Sequence, residues 1–281
     1  MAAATASKEK WIGFDMDECL AQLGTLYFFL VGLPEKAKKE VVKELAASEQ
    51  KGETWILRPS FRKLFPMLID ALKSEAITGI FLYSNNGSHE MVEFTRDLIN
   101  AVAGYDIILG EMSAEKPVKR EGRDLSKNLE FLQEYVSSDI TRENLLFFDD
   151  TPDHSLAYQL GDNYIRVTPY NNQLPVKKLK EIFQKYLETD FGDYPIDYRY
   201  EEAGKTESKN ISNRGKRTEE PYPVIMEMEE SEYRDILVRF IGPIVSTKTA
   251  TRRRKTRRAA RKIAAKSRRC RRRRQSHSPT L

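Results

Sequence analysis

The chain has 281 residues, 40% of them hydrophobic, and carries 47 Lys or Arg against 42 Asp or Glu for a formal charge of +5. Two cysteines, Cys19 and Cys270, are too few and too far apart for a disulfide framework, which fits a reducing compartment. The longest apolar stretch, residues 19–33, is broken by Gln22, Gly24, Thr25 and Gly32 and falls short of the ~20 residues that cross a bilayer.

The modest net charge hides a division. From Lys248 onward there are 16 Lys or Arg and no acid, leaving 31 basic against 42 acidic residues before it. An acidic body therefore precedes a strongly basic arm, a polarity that suits a polyanion partner. The opening residues, MAAATASKEK, lack the apolar core of a signal peptide, so an intracellular soluble protein is expected, with no membrane partner.

In chain order, residues 10–17 (KWIGFDMD) form the first predicted strand, apolar until it ends on Asp15 and Asp17. A helix is predicted over residues 34–50, rich in good helix formers after an opening Pro-Glu. A second covers residues 61–75, where Leu64, Met67, Leu68, Ala71 and Leu72 share a face and Pro66 marks a kink or a first turn. The next strand is residues 77–86 (ITGIFLYSNN), running into Ser84, Asn85 and Asn86. Then come a helix over 89–104 ending in Gly104, a short strand over 106–110, and a helix over 126–138 with Ser126 as N-cap. Residues 144–153 (NLLFFDDTPD) repeat the first pattern, an apolar run stopping at Asp149 and Asp150. A strand over 164–170 and a helix over 175–190 complete the body.

Strands that are apolar throughout, alternating with helices, imply a parallel α/β sheet covered on both faces. The predicted domain spans residues 1–195, followed by a charged, Ser/Asn/Gly/Pro-rich linker at 196–222 and one further helix within 223–247. The arm at 248–281, whose basic run extends from Arg252 to Arg274, is low in complexity and expected to be disordered until neutralised.

In open parallel sheets, ligands bind beyond the carboxyl ends of the strands. Asp15 and Asp17, Ser84 with Asn85 and Asn86, and Asp149 with Asp150 all fall at that edge. Converging carboxylates need a cation, and an all-oxygen set suits Mg²⁺. Such a rim could bring Mg²⁺, a lysine and the Ser84 hydroxyl to a phosphate, with Asp15 attacking phosphorus and Asp17 moving protons. The plainer alternatives are a solvated turn at Asp15 and Asp17, a helix N-cap or turn at Ser84, and a surface lysine in a first helical turn. His89 and His154 lie near this edge without a second His or Cys at ligand spacing.

These residues carry a resemblance. The chain resembles the haloacid dehalogenase superfamily of phosphohydrolases, and within it the RNA polymerase II C-terminal-domain phosphatases, or NLI-interacting-factor-like group. DMDECL at residues 15–20 is similar to that group's DxDxT motif, WILRPSFRKLF at 55–65 to its Arg-Pro signature, Ser84 to the second superfamily motif, and FFDDTPD at 147–153 to the last. The resemblance covers roughly residues 8–188. It implies a Rossmann-like fold with a small cap and a Mg²⁺-dependent phosphatase acting through an aspartyl-phosphate, most plausibly on Ser/Thr phosphoproteins. It assigns Asp15 as nucleophile and Asp17 as acid/base that also gives its backbone carbonyl to Mg²⁺. Ser84, with Asn85 beside it, would bind phosphate, and Asp149 and Asp150 would join Asp15 and Asp17 at the metal, with Asp150 the more direct contact. The motif lysine matches Lys127, with Lys116 as runner-up, and 22 residues separate Lys127 from Asp149, more than the group's usual spacing. Cys19 stands where Thr or Val is usual.

A small cap over residues 22–53 would leave the site open to a peptide, with the 34–50 helix as a partial lid. A nucleic-acid 3′-phosphatase or nucleotidase is the rival within the enzyme class. Outside it stands a nucleic-acid-binding packaging or scaffold protein with an inactive phosphatase-like fold. Basic runs also read as nuclear-import signals, so a nuclear protein, or a viral one acting in the host cell or virion, is expected. The arm lacks interleaved aromatics, so its binding should be electrostatic and salt-dependent. Ser276 and Ser278-Pro279 are candidate phosphorylation sites that would weaken that charge. No GxxxxGK[ST] loop is present, which argues against P-loop phosphoryl transfer.

Overall fold

The structure is a computed structural model and describes residues 9–30, 33–85, 88–113, 127–151, 155–170, 174–186 and 230–242. Asn86, Lys116, Ser126, His154, Cys270, the 196–222 linker and the basic arm lie outside them.

Five parallel strands form one sheet in the order β3-β2-β1-β4-β5. They are β1 Trp11–Phe14, β2 Gly79–Ser84, β3 Gly110–Ser113, β4 Leu145–Asp149 and β5 Tyr164–Arg166. The helices are α1 Gly24–Leu30, α2 Glu35–Lys51, α3 Pro59–Lys73, α4 His89–Ala103, α5 Leu129–Tyr135, α6 Ser155–Leu160, α7 Val176–Phe183 and α8 Glu230–Ile241. The chain winds outward from β1 through β2 to β3, then returns beside β1 and winds the other way through β4 and β5. The reversal falls between β1 and β4, which are in register from Trp11 with Leu145 to Phe14 with Phe148. That is the crevice where open α/β sheets place ligands.

The three central strands are buried along their whole length, as their unbroken apolar character requires. Alternate side chains feed two cores. Ile12, Phe14, Ile80, Leu82, Leu146 and Phe148 join the larger one, with Leu45 of α2, Leu68 of α3, Val92 of α4, Leu179 of α7 and Leu237 of α8. Trp11, Phe81, Tyr83, Leu145 and Phe147 join the smaller one, with Leu132 of α5 and Leu156 of α6.

Continuing the alternation puts Asp15 and Asp149 on the second face, immediately beyond Gly13 and Phe147. Gly13 is needed there: a Cβ would stand 2.4 Å from Phe147 Cδ2 and 2.8 Å from Phe81 Cζ. The bare backbone lets both rings close beneath the two carboxylates.

Several sequence expectations shift. The strand expected at 106–110 lies at Gly110–Ser113 instead. Ile107 and Ile108 are buried, but Ile108 exchanges both backbone bonds with the Asn100 side chain of α4, not with a strand. The helix expected from Ser126 starts at Leu129, capped by Asn128, whose Oδ1 accepts from Phe131 N at 2.8 Å. Pro59 takes the first turn of α3 and Pro66 lies inside that helix. Helices α1 and α6 had no sequence expectation; both are short, seven and six residues.

The partial lid is also not met. Val41, Val42, Leu45 and Ala46 of α2 are buried, and the helix packs along α4, with Lys38 paired to Glu90 and Gln50 bonded to Val102 O. It is a layer of the body, not a cover for the site. The expected helix within 223–247 is present as α8, packed against α3.

Gly13→Ala should destabilise the protein by about 2 kcal/mol or more, because the overpacked rings belong to buried strands. Chemical denaturation of the two proteins side by side measures this.

Candidate active site

The site forms where β1 and β4 end. Asp15 N donates to Phe148 O at 2.8 Å, which carries the sheet's hydrogen bonding one residue past β1. Asp15 and Asp149 thus stand side by side, both buried. Lys127 comes over the same face, its Nζ 5.6 Å from the centre of the Phe147 ring. It donates to Asp149 Oδ2 at 2.7 Å and, by a shorter contact, to Asp15 Oδ1.

Lys127 is 1% exposed, which settles it as a buried group and not a surface lysine. Local structure holds its backbone. Its carbonyl accepts from Leu156 N at 2.9 Å and Ser155 Oγ at 2.8 Å at the start of α6, and the next residue caps α5. The long interval to Asp149 is taken up by α5 and a braced turn. There Val136 and Ile140 are buried, Gln133 Nε2 donates to Ile140 O, and the Asn144 side chain bonds Thr141 N and Asp139 O.

Charge does not balance at this site. Asp15, Asp149 and Asp150 each place a carboxylate oxygen within 4.8 Å of the others, against one ammonium. Burial pushes Asp15 up to about 8; Lys127 opposes this, and Asp149 adds repulsion. Burial and then Asp149 push Asp150 up to about 7. For Lys127, burial works against its charge, but Asp15 and Asp149 outweigh it and hold the ammonium above its ordinary range. The donor set is all oxygen and would suit a hard divalent cation such as Mg²⁺, which would take the place of the protons that burial favours on Asp15 and Asp150.

Asp149 accepts from Thr151 N at 2.9 Å through Oδ1 as well as from Lys127 through Oδ2, so protein contacts fix its orientation. Asp150 is half-buried beside it. The Asp17 carboxylate is not part of the three-carboxylate group. It sits half-buried two residues on, where the backbone pairs with Ala21. Ser84 ends β2, is buried, and lies level with Ser113 of β3; Asn85 is exposed next to it. The N-cap of the following helix is Ser88, whose side chain accepts from Met91 N, so Ser84 is not that cap.

Cys19 is buried and its thiol is directed at Phe148 O, 3.5 Å away. Burial, followed by the nearby Asp15 and Asp149 charges, pushes the thiol well up. Burial thus favours the neutral thiol, and Cys19 serves as a packing group. His89 belongs to a second cluster with Glu93 and Glu111, but Arg96 Nη1 donates to Glu111 at 2.8 Å and neutralises it.

Two residues that matter locally carried no sequence signal of their own, Gly13 under the rings and Tyr164, and a third, Arg58, gave no sign of its role. Tyr164 donates through its hydroxyl to Thr151 O and its ring stacks 5.9 Å from Phe147. Arg58 lay within a motif, but its partners are far off in sequence.

The fold and site define a doubly wound parallel α/β protein with a buried lysine–carboxylate centre at its topological switch point. The chain matches no protein-family model, no curated protein and no solved structure. No helix among the described residues is long and apolar enough to cross a membrane.

Lys127→Met should cost about 3–5 kcal/mol, since it leaves Asp15 and Asp149 buried without their counter-charge. Adding Asp149→Asn should restore part of that loss. Denaturant midpoints of the two variants and the parent test the ordering.

Proposed function

We propose that the protein is a Mg²⁺-dependent phosphatase of the haloacid dehalogenase type, hydrolysing phosphomonoesters through an aspartyl-phosphate, with Ser/Thr phosphoproteins as substrates. The observation that carries the reading is the position of Lys127 between Asp15 and Asp149, with Asp150 adjacent, at the carboxyl ends of β1 and β4. A lone pair of acids after a strand is common. Two acids at the ends of neighbouring strands sharing one buried lysine supply a carboxylate nucleophile and a fixed positive charge, both of which phosphate transfer to a carboxylate can use.

In this reading an Asp15 oxygen attacks phosphorus, an O–P bond forms, and the bond to the leaving oxygen breaks. Asp17, nearer solvent, protonates that oxygen, then takes a proton from the water that cleaves the acyl phosphate, releasing inorganic phosphate and restoring Asp15. Lys127 holds positive charge against the phosphate oxygens, and Ser84 donates its hydroxyl to one of them. Mg²⁺, held by Asp15, Asp149, Asp150 and the Asp17 backbone carbonyl, would supply the further positive charge that three carboxylates and a phosphate need together. The placement of α2 in the body leaves the rim without that helix above it, which suits a peptide chain more than a small metabolite.

Purified protein with an aryl phosphate should show hydrolysis that requires Mg²⁺ and falls about a thousand-fold or more in Asp15→Asn. Metal-independent turnover, or turnover kept by the variant, would sink the proposal.

The basic arm supports a second element of the reading, a polyanion partner and nuclear residence. It also motivates the rival of a nucleic-acid-binding scaffold with an inactive site. Six phosphate contacts would weaken binding about a thousand-fold between 50 and 200 mM salt. The full chain should show that dependence on duplex DNA, and a chain ending before Lys248 should lose the binding, by fluorescence anisotropy. DNA binding of this kind with no turnover would favour the scaffold.

A further inference from the structure

The loop bearing Asp15 and Asp17 has no regular structure after Phe14. It folds as a tight turn in which Leu20 N and Ala21 N both donate to Met16 O at 3.1 Å and Glu18 N donates to Ala21 O at 2.9 Å. The turn requires Glu18 at φ 58, a left-handed conformation that costs a non-glycine residue about 1 kcal/mol or more unless its surroundings fix it. What fixes it is Arg58.

The Arg58 guanidinium is almost wholly buried and ties three other segments to its own. Nη2 donates to Glu18 O at 3.0 Å and also to Thr168 O, in the segment after β5. Nη1 donates to Tyr233 Oη on α8 at 2.8 Å, across 175 residues of sequence. The guanidinium carbon lies 5.4 Å from the centre of the Tyr170 ring, and Tyr170 N is a second donor to Glu18 O. Arg58 N donates to Leu20 O at 2.8 Å, so main chain and side chain of one residue both hold the loop.

Arg58 is itself anchored. The buried Glu49 carboxylate accepts from Thr54 Oγ1 at 2.7 Å and Ile56 N at 2.6 Å, on either side of Trp55, whose own φ is 70. Tyr170 Oη donates to Trp55 O at 2.7 Å. Only a planar group with several fixed donors can serve two carbonyls and a hydroxyl while lying against a ring; an ammonium on a flexible stem cannot.

Tyr233 reaches the site by a second route. Its ring packs 5.8 Å from Phe148, the residue whose carbonyl accepts from Asp15 N and faces the Cys19 thiol. We propose that Arg58 is the positioning residue for the Asp15–Asp17 loop, and that through Tyr233 it makes α8, the helix preceding the basic arm, part of the catalytic unit. The kinetic consequence rests on the phosphatase reading; the mechanical one does not.

The test uses the full chain with Arg58→Met, Arg58→Lys and Tyr233→Phe, read by hydrogen exchange and by kcat and KM for an aryl phosphate with Mg²⁺. In Arg58→Met, amides 18, 20, 21 and 170 should exchange about ten-fold faster or more while β2 and α4 stay within about twofold. Its kcat should fall about ten-fold or more with KM changed less than about threefold, and Arg58→Lys should recover only part of either loss. Tyr233→Phe should move the same amides and kcat in the same direction by about five-fold.

Unchanged exchange at those amides, faster exchange across the whole sheet, or full recovery by lysine would overturn the positioning role. So would local loosening in an active enzyme whose kcat does not move. If Arg58→Met fails to fold, Tyr233→Phe, which removes one hydroxyl, decides by the same criteria. If the parent shows no turnover, the phosphatase reading fails, and the exchange pattern alone decides whether Arg58 and Tyr233 hold the loop.

Discussion

Two buried carboxylates at the ends of adjacent strands are held together by a buried lysine that lies between them. Ionised groups removed from water cost several kcal/mol each unless paired with good geometry, and here one ammonium serves both Asp15 and Asp149. The rest of the architecture can be derived from that requirement. The β1–β4 register must bring the two acids level. Gly13 must lack a side chain so that Phe147 can lie under the ammonium. The α5 cap and α6 start must hold the Lys127 backbone from behind. Each constraint falls on a different part of the chain, and each serves the same few ångströms.

That distribution explains what the sequence disclosed. The strands and the acids at their ends were legible because apolar runs stopping at Asp15 and Asp149 break pattern abruptly, and local signals suffice for that. Ser84 was legible for the same reason. Lys127 could be matched but not chosen over Lys116 from sequence, because its role depends on a fold-back across α5 that no periodicity encodes. The segment at 106–110 looked like a strand because Ile107 and Ile108 are apolar; Ile107 N instead donates to Tyr105 O, and the Asn100 side chain takes both backbone groups of Ile108. Arg58 sat inside a recognisable motif, yet its function depends on Tyr233 and Thr168, and partners that distant leave no trace in a local window. The helix over 34–50 was correctly expected, but whether an amphipathic helix covers a site or lines a body is decided by which neighbour buries its stripe.

The unevenness of the two cores has a physical meaning of its own. The larger core, shared by α2, α3, α4, α7 and α8, supplies most of the apolar burial. The smaller one, under α5 and α6, carries the polar centre at its upper end. Such a division lets one face of a sheet secure stability while the other tolerates charges that no core built for stability alone would contain.

Helix α8 links two edges of the sheet. Its first turn meets Arg58 near the carboxylate rim, and its last carbonyls lie at the opposite edge of the sheet, where Lys10 Nζ, just before β1, donates to Ile241 O at 3.0 Å. The helix therefore runs from the carboxyl edge of the sheet to its amino edge, with a side-chain hydrogen bond at each end. One helix thus ties the loop that bears Asp15 and Asp17 to the start of β1, the strand that leads into it.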